Sequence, residues 1–209
     1  VAVAVKHLSP ETKVFGGEPR RAATYHAARK AGRPVRLEVG KTIADGLATP
    51  DVGANAFETA EPLLDGLALV DEASISLAVL RLLEAEKSVV EGGGAAGLAA
   101  MLPTPGGDPD APAPLDLRGR TVVVPLCGGN IDPPMIGRVI ERGLAADGRL
   151  MRFVTTISDR PGGLAAFTNA IARVGASVDD IRHDRAFATS DLSSVDVHCI
   201  VETSGPAHV

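Results

Sequence analysis

Residues 121–132 read TVVVPLCGGNID. The run 121–126 has no polar face, which predicts a strand buried on both sides, as in a parallel sheet covered by helices. It ends in Cys127, Gly128, Gly129 and Asn130, and Asp132 with Pro133 gives an N-cap followed by proline at the first helical position. A thiol at the carboxyl end of such a strand stands where α/β sheets gather ligands. A weak thiol donor there suits a ring nitrogen in an apolar slot, and an inert core cysteine is the competing reading. A nucleophilic Cys127 would need a base, and none of His7, His26, His183, His198 and His208 falls in a motif beside it.

Working outward, strand and helix signals alternate. KVFGGE (13–18) reads as a short strand, residues 20–31 as a helix stopped by Gly32 and Pro34, and LALV (67–70) as a buried strand. Asp71 then caps a helix carrying Ile75, Val79, Leu82 and Leu83 at helical spacing. Beyond Pro133, Ile136, Val139, Ile140 and Leu144 mark one helical face, ended by Gly148. Strands separated by helices predict an α/β fold with a mostly parallel sheet.

A different texture follows. MRFVTTI (151–157) is a strand, SDRPGG (158–163) a turn, and Leu164, Phe167, Ile171 and Val174 form a helical stripe stopped by Gly175. Val195, Val197, Cys199 and Val201 alternate with Asp196, His198, Ile200 and Glu202, the period of a half-buried strand. Strand, helix, strand, strand in so short a segment is most of a ferredoxin-like α+β sandwich. We therefore divide the chain into 1–148 and 149–209, with PTPGGDPDAPAP (103–114) as an exposed linker or insertion.

Composition narrows the function. Aromatic residues are 3 % of the chain, with no Trp, which argues against base-stacking surfaces. A net charge of −5 leaves no electrostatic footprint for nucleic acid. Apolar residues make up 45 %, enough for real cores. Cys127 and Cys199 make no disulfide framework and suit a reducing, cytoplasmic setting. No apolar run reaches the ~20 residues of a membrane span. The chain opens on VAVAVKHLSP without Met and closes on SGPAHV directly after a strand pattern, so we expect an internal piece of a longer protein that starts inside a buried element.

Three further stretches could carry chemistry. GGEPRRAA (16–23) places Glu18 between a strand and a helix, and KTIADGLAT (41–49) holds the turn signal Asp45-Gly46. In VVEGGGAAGLAAM (89–101), Glu91 precedes Gly92, Gly93 and Gly94 and then a small-residue helix. Tight helix packing and close approach of a flat ligand are equally good readings of those glycines. No Gly-Lys-Ser/Thr follows, so this is not a phosphate-binding P-loop.

Taken in order, GGEP, TIADGLA, VVEGGGAAGLAAM, VVVPLCGGNID and IERGLAADGRL resemble the second half of the catalytic domain of threonine dehydratases (threonine ammonia-lyases). These belong to the type II fold of pyridoxal-phosphate enzymes, with serine dehydratase and serine racemase. ISDRPGGLA and its surroundings resemble an ACT domain, the small regulatory module often fused to such enzymes, here truncated. The matches together cover nearly the whole chain.

The resemblance implies pyridoxal 5'-phosphate as cofactor and dehydration and deamination of L-threonine, and of L-serine, to a 2-oxo acid and ammonia. It gives Cys127 the pyridine nitrogen, Gly128, Gly129 and Asn130 the wall beside the ring, Glu91 a place near the cofactor, and Asp45-Gly46 the substrate side. A thiol in place of a carboxylate leaves the ring a weaker electron sink and favours prompt loss of the β-hydroxyl. Glu18 and a backbone oxygen near Ala22 match a site for a mono- or divalent cation, but Thr24 stands where the family's second acid would be. The Schiff-base lysine and the phosphate loop fall outside the alignable segment. None of Lys6, Lys13, Lys30, Lys41 and Lys87 has the cofactor-lysine context, so this chain alone should be inactive, and its first residues match the helix after the phosphate loop.

Ser158, Asp159, Arg160, Pro161, Gly162, Gly163 and Leu164 match the turn where ACT domains take a small amino-acid effector, isoleucine or valine first, between paired copies. A homo-oligomer, dimer or tetramer, is implied, with neither nucleic acid nor membrane as partner. The alternatives are a serine racemase or hydroxyaspartate lyase of the same fold, or an amino-acid sensor without catalysis.

Overall fold

A computed structural model of the chain describes residues 1–103, 115, 117–184 and 193–209. Of the expected linker, 104–114 lie outside the described residues. Backbone contacts divide the chain into two compact units, Val1–Gly143 and Leu144–Val209.

In the first unit, β1 (Phe15–Pro19) pairs in parallel with β2 (Gly66–Val70), Phe15 opposite Gly66 and Pro19 opposite Val70. Between them run α2 (Thr24–Ala31) and α3 (Ala54–Ala60), preceded by α1 (Ala2–Leu8). The expected helix over 20–31 is split: Arg20–Ala22 form a 3-10 turn, and α2 begins after it. The cause is Glu18, whose carboxylate accepts the backbone N–H groups of Tyr25 (2.6 Å) and His26 (3.0 Å) and so fixes where α2 starts. Gly32 in the left-handed conformation ends it (φ 66°). The apolar opening is helical, and no residue of α1 is buried, contrary to the buried start expected.

Asp71 caps α4 (Glu72–Glu86) as expected, its Oδ1 accepting the Ser74 N–H at 2.7 Å. Burial goes further than the expected stripe: Leu77, Ala78 and Leu80 are buried as well as Ile75, Val79 and Leu82. Together with Val70, Val90, Val139 and the small residues Ala95, Ala96 and Ala99 of α5 (Gly92–Ala99), α4 forms the core of this unit. β1 lies so near α5 that a Cβ on Gly17 would stand 3.3 Å from the Ala96 carbonyl oxygen.

The segment 121–126 departs from expectation. It forms no strand, and Val123 is 86 % exposed. Its apolar run fits a strand flanked on both sides. Among the described residues it meets α5, with Val124 Cγ1 3.0 Å from where a Cβ of Gly97 would be, and no strand pairs with it. Cys127 is accordingly exposed, not the end of a buried strand. The expected cap and proline do start a helix, α6 (Pro133–Ala146), and the boundary between the two units falls inside it.

The second unit has the expected order strand, helix, strand, strand: β3 (Leu150–Ser158), α7 (Gly163–Arg173), β4 (Ser177–Asp184) and β5 (Ser194–Glu202). The sheet is antiparallel in the order β3-β5-β4. Val195, Val197, Cys199 and Val201 of the central strand are buried, as their alternation predicts. Ile171 and Phe167 of α7 cover Val197, Cys199 and Val201, and Phe167 meets Phe153 edge-on at 6.1 Å between centroids.

Candidate functional site

The first turn of α5 organises the site in the first unit, and its three glycines face different neighbours. A Cβ on Gly92 would overlap the Ile43 carbonyl, and one on Gly94 would overlap the Cys127 carbonyl oxygen. Gly93 faces Leu47, whose Cγ would stand 3.5 Å from the added carbon. Backbone packing therefore explains Gly92 and Gly94: the turn is gripped by the loop through Ile43 and the loop through Cys127.

Glu91 fastens the second of these loops. Its backbone N–H donates to the Gly128 carbonyl oxygen at 3.2 Å, and its Oε2 accepts the Asn130 N–H at 3.1 Å. Gly128 sits at φ 94°, where a side chain is strained, and a Cβ there would come within 2.5 Å of Glu91 Oε1. Gly129 lies against the Val89 carbonyl oxygen, 3.3 Å from its missing Cβ. Cys127, Gly128, Gly129, Asn130 and Glu91 are thus brought together, with the thiol exposed at the edge.

On the other side, Asp45–Leu47 form a 3-10 turn closed by Leu47 N–H to Ala44 O (2.9 Å) and by Gly46 N–H to Asp45 Oδ1 (2.8 Å). The missing Cβ of Gly46 would lie 3.6 Å from Glu91 Oε1, so the turn meets the same carboxylate. Sequence reasoning missed the support of this loop: Glu72 Oε2 accepts the Ile43 N–H at 2.9 Å. Glu72 is buried and, among the described residues, its Oε1 has no hydrogen-bond partner. An acid directly after a helix N-cap was its signal, but such acids are commonly read as favourable to the helix end alone.

Glu18 lies apart, at the end of β1, with both carboxylate oxygens committed to the start of α2. Ala22 is buried in the 3-10 turn, and the Thr24 hydroxyl donates to the Thr49 carbonyl oxygen at 2.7 Å. Among the described residues no group of three or more His, Cys, Asp or Glu side chains could hold a metal ion.

In the second unit, Ser158 to Leu164 form the turn from β3 to α7. Gly162 precedes the helix in the left-handed conformation (φ 96°) with no side-chain cap, and Gly163 N–H donates to Arg160 O at 3.0 Å. Gly163 lies so close to Ser158 that a Cβ would overlap the Ser158 carbonyl oxygen. A helix start without a side-chain cap is the kind of place where backbone N–H groups can take an anion.

Residues 1–128, more than half the chain, match the pyridoxal-phosphate dependent enzyme family. The chain belongs to this family. Along its whole length it is 37 % identical to the L-threonine ammonia-lyase of Geobacter sulfurreducens and 35 % identical to that of Thermotoga maritima, covering 50 % of each. Among solved structures, the processed form of threonine deaminase isoform 2 from Solanum lycopersicum matches 68 % of this chain and 39 % of its own, with a TM-score of 0.58 and 27 % identity. The chain spans about half the length of the curated relatives it matches. The family's cofactor is pyridoxal phosphate, and the residues present suit it. A flat ring needs walls without side chains and a donor at its edge. Gly128, Gly129 and the exposed Cys127 thiol offer these on a loop held at two points by Glu91.

Proposed function

We propose that this chain is part of a threonine ammonia-lyase, which converts L-threonine to a 2-oxo acid and ammonia by β-elimination and accepts L-serine as well. The observation that supports it most is the end-to-end identity to two proteins named L-threonine ammonia-lyase. Pyridoxal phosphate, when bound, would take up the negative charge left on the substrate's α-carbon when its proton is removed, so that this electron pair forms the α,β double bond and the β-hydroxyl departs with a proton as water.

The chain's own residues would act around that chemistry. Cys127 donates its S–H to the pyridine nitrogen, and a thiol there does not force the ring to carry a proton. Gly128 and Gly129 give the ring a backbone wall. Glu91 holds the loop by the Asn130 N–H, and the Asp45–Leu47 turn borders the substrate. The Schiff-base lysine and the phosphate loop are contributed from outside this segment.

Residues 149–209 are proposed as an ACT domain, with 1–148 belonging to the catalytic domain. The β-α-β-β order and the capless start of α7 behind Gly162 support this. A small amino acid, isoleucine or valine, would place its carboxylate on the Ser158–Leu164 turn between paired copies in a homo-oligomer.

The test is the complete protein with L-threonine and L-serine, following 2-oxo acid release, with Cys127→Ser and Cys127→Asp alongside. Serine should keep most of the activity because a hydroxyl makes the same contact, while aspartate should impair it by keeping the ring nitrogen protonated. Equal activity for wild type and Cys127→Asp would refute the role of the thiol. Racemisation of serine without ammonia would move the protein to the racemase reading.

A further inference from the structure

We infer that Glu91 is a positioning residue that sets the thiol-bearing loop and the substrate-side turn in register with each other; this rests on the cofactor reading above. Three glycines from three separate stretches converge on one carboxylate oxygen. Cβ atoms on Gly46 and Gly93 would stand 3.6 and 3.7 Å from Glu91 Oε1, and one on Gly128 would stand 2.5 Å from it. The first two distances are ordinary contact; the third is overlap, so the carboxylate occupies the space a side chain at 128 would need.

The two oxygens divide the work. Oε2 accepts the Asn130 N–H, and together with the bond from Glu91 N–H to Gly128 O it holds the loop at two points. Among the described residues, Oε1 accepts no hydrogen bond and lies against the Asp45–Leu47 turn through Gly46. An ionised acceptor makes the stronger bond to a backbone N–H. Removing the carboxylate therefore frees the loop that carries Cys127 and removes the surface on which the substrate-side turn rests. A displacement of about 1 Å in a reacting group lowers rates on the order of 10²-fold. Here one side chain would displace groups on both sides of the cofactor.

Glu91 differs in this from a residue that merely stabilises the fold, because its loss should change the cofactor's surroundings in protein that is still folded. The experiment compares the complete holoenzyme with Glu91→Ala, Glu91→Asp and Glu91→Gln. Before any substrate is added, it reads the absorption and fluorescence of the bound cofactor and the dissociation constant for pyridoxal phosphate. The kcat and KM for L-threonine follow. We expect Glu91→Ala to shift the cofactor spectrum, weaken retention about 10-fold or more and raise KM while lowering kcat. Aspartate, one methylene short of the Asn130 N–H, should shift the spectrum in the same direction to a smaller extent. Glutamine, which keeps an acceptor at the right length, should recover most of each loss.

A wild-type spectrum and cofactor affinity in both Glu91→Ala and Glu91→Asp would overturn the inference. So would a glutamine variant as damaged as the alanine one, since that would assign Glu91 its role through charge. A wild-type enzyme that shows a normal cofactor spectrum but releases no 2-oxo acid would instead refute the proposed function and leave the positioning role standing.

Discussion

The Asn130 backbone N–H donates to Glu91 Oε2 at 3.1 Å, joining residues 39 positions apart in the chain. The two residues share no helix or strand. The bond exists because the first turn of α5 has no side chains to keep the loop through Cys127 away. Glycine gives up helix stability, by about 1 kcal/mol per residue relative to alanine, and three in succession open α5. Contact at Gly92 and Gly94 with two carbonyl groups is what that cost secures.

Gly94→Ala should therefore destabilise the protein even though alanine is the better helix former. The new Cβ would overlap the Cys127 carbonyl oxygen, and backbone cannot yield as a flexible side chain does. We expect a loss of about 1–3 kcal/mol in chemical denaturation. Gly137→Ala in α6, where an added Cβ would meet nothing within 4 Å among the described residues outside its own helix turn, should be neutral or stabilising. Equal stability of Gly94→Ala and Gly137→Ala would show that the Cys127 loop is not seated on α5.

The two thiols should be distinguishable. Cys127 is exposed, whereas Cys199 is buried in the second unit, where burial first and Asp180 second push its pKa up. Since the thiolate is the reactive form, both access and ionisation protect Cys199. Titration of the 209-residue chain with a disulfide reagent should give one fast equivalent, and the second when the chain is unfolded. Cys127→Ser should remove the fast phase, and a fast phase that survives it would contradict the assignment.

Acid should weaken the contact between α1 and the start of β2. The Lys6 ammonium donates to Asp65 at 2.8 Å and the Val14 N–H donates to it at 2.7 Å. The bond from Lys6, then that from Val14, lowers the Asp65 pKa below the usual carboxylate range. A depressed pKa contributes stability that is present above the unfolded value and lost as pH falls through the folded one. The stability difference between wild type and Asp65→Asn should thus shrink as pH falls through the carboxylate range. A difference that stays constant across that range, read from urea midpoints, would remove Asp65 from the acid response.

Effector binding is testable by calorimetry on the complete protein with isoleucine, valine and threonine. Valine at position 162 would be strained, because Gly162 has φ 96° at the start of α7. Gly162→Val should abolish the heat of isoleucine binding and with it a coupling of about 1–3 kcal/mol to the catalytic part. Unchanged binding in that variant would place the effector elsewhere.

Local patterns were sufficient wherever a signal and its partner lie close in sequence. The alternation from Val195 to Val201 gave the buried face of β5, and Asp71 gave the start of α4 three residues before the N–H it caps. Asp132 and Pro133 likewise gave the start of α6. The residues proposed to carry chemistry were also named from sequence, and the structure brings Cys127, Gly128, Gly129, Asn130, Glu91 and Gly46 to one place.

Tertiary structure alone decided matters that depend on distant partners. The apolar run 121–126 predicts a strand, but a strand exists through hydrogen bonds to neighbours, and none of the described strands pairs with it. That Glu18 accepts the Tyr25 and His26 N–H groups, and so fixes the start of α2, is decided only by the folded chain. The triple glycine at 92–94 left close packing and ligand approach equally good, because a missing side chain does not say what fills its space. For Gly92 and Gly94, folding places the Ile43 and Cys127 carbonyls in that space. Sequence thus determines which residues favour a conformation or can bear a charge; which of them touch depends on contacts that form only once distant segments have packed.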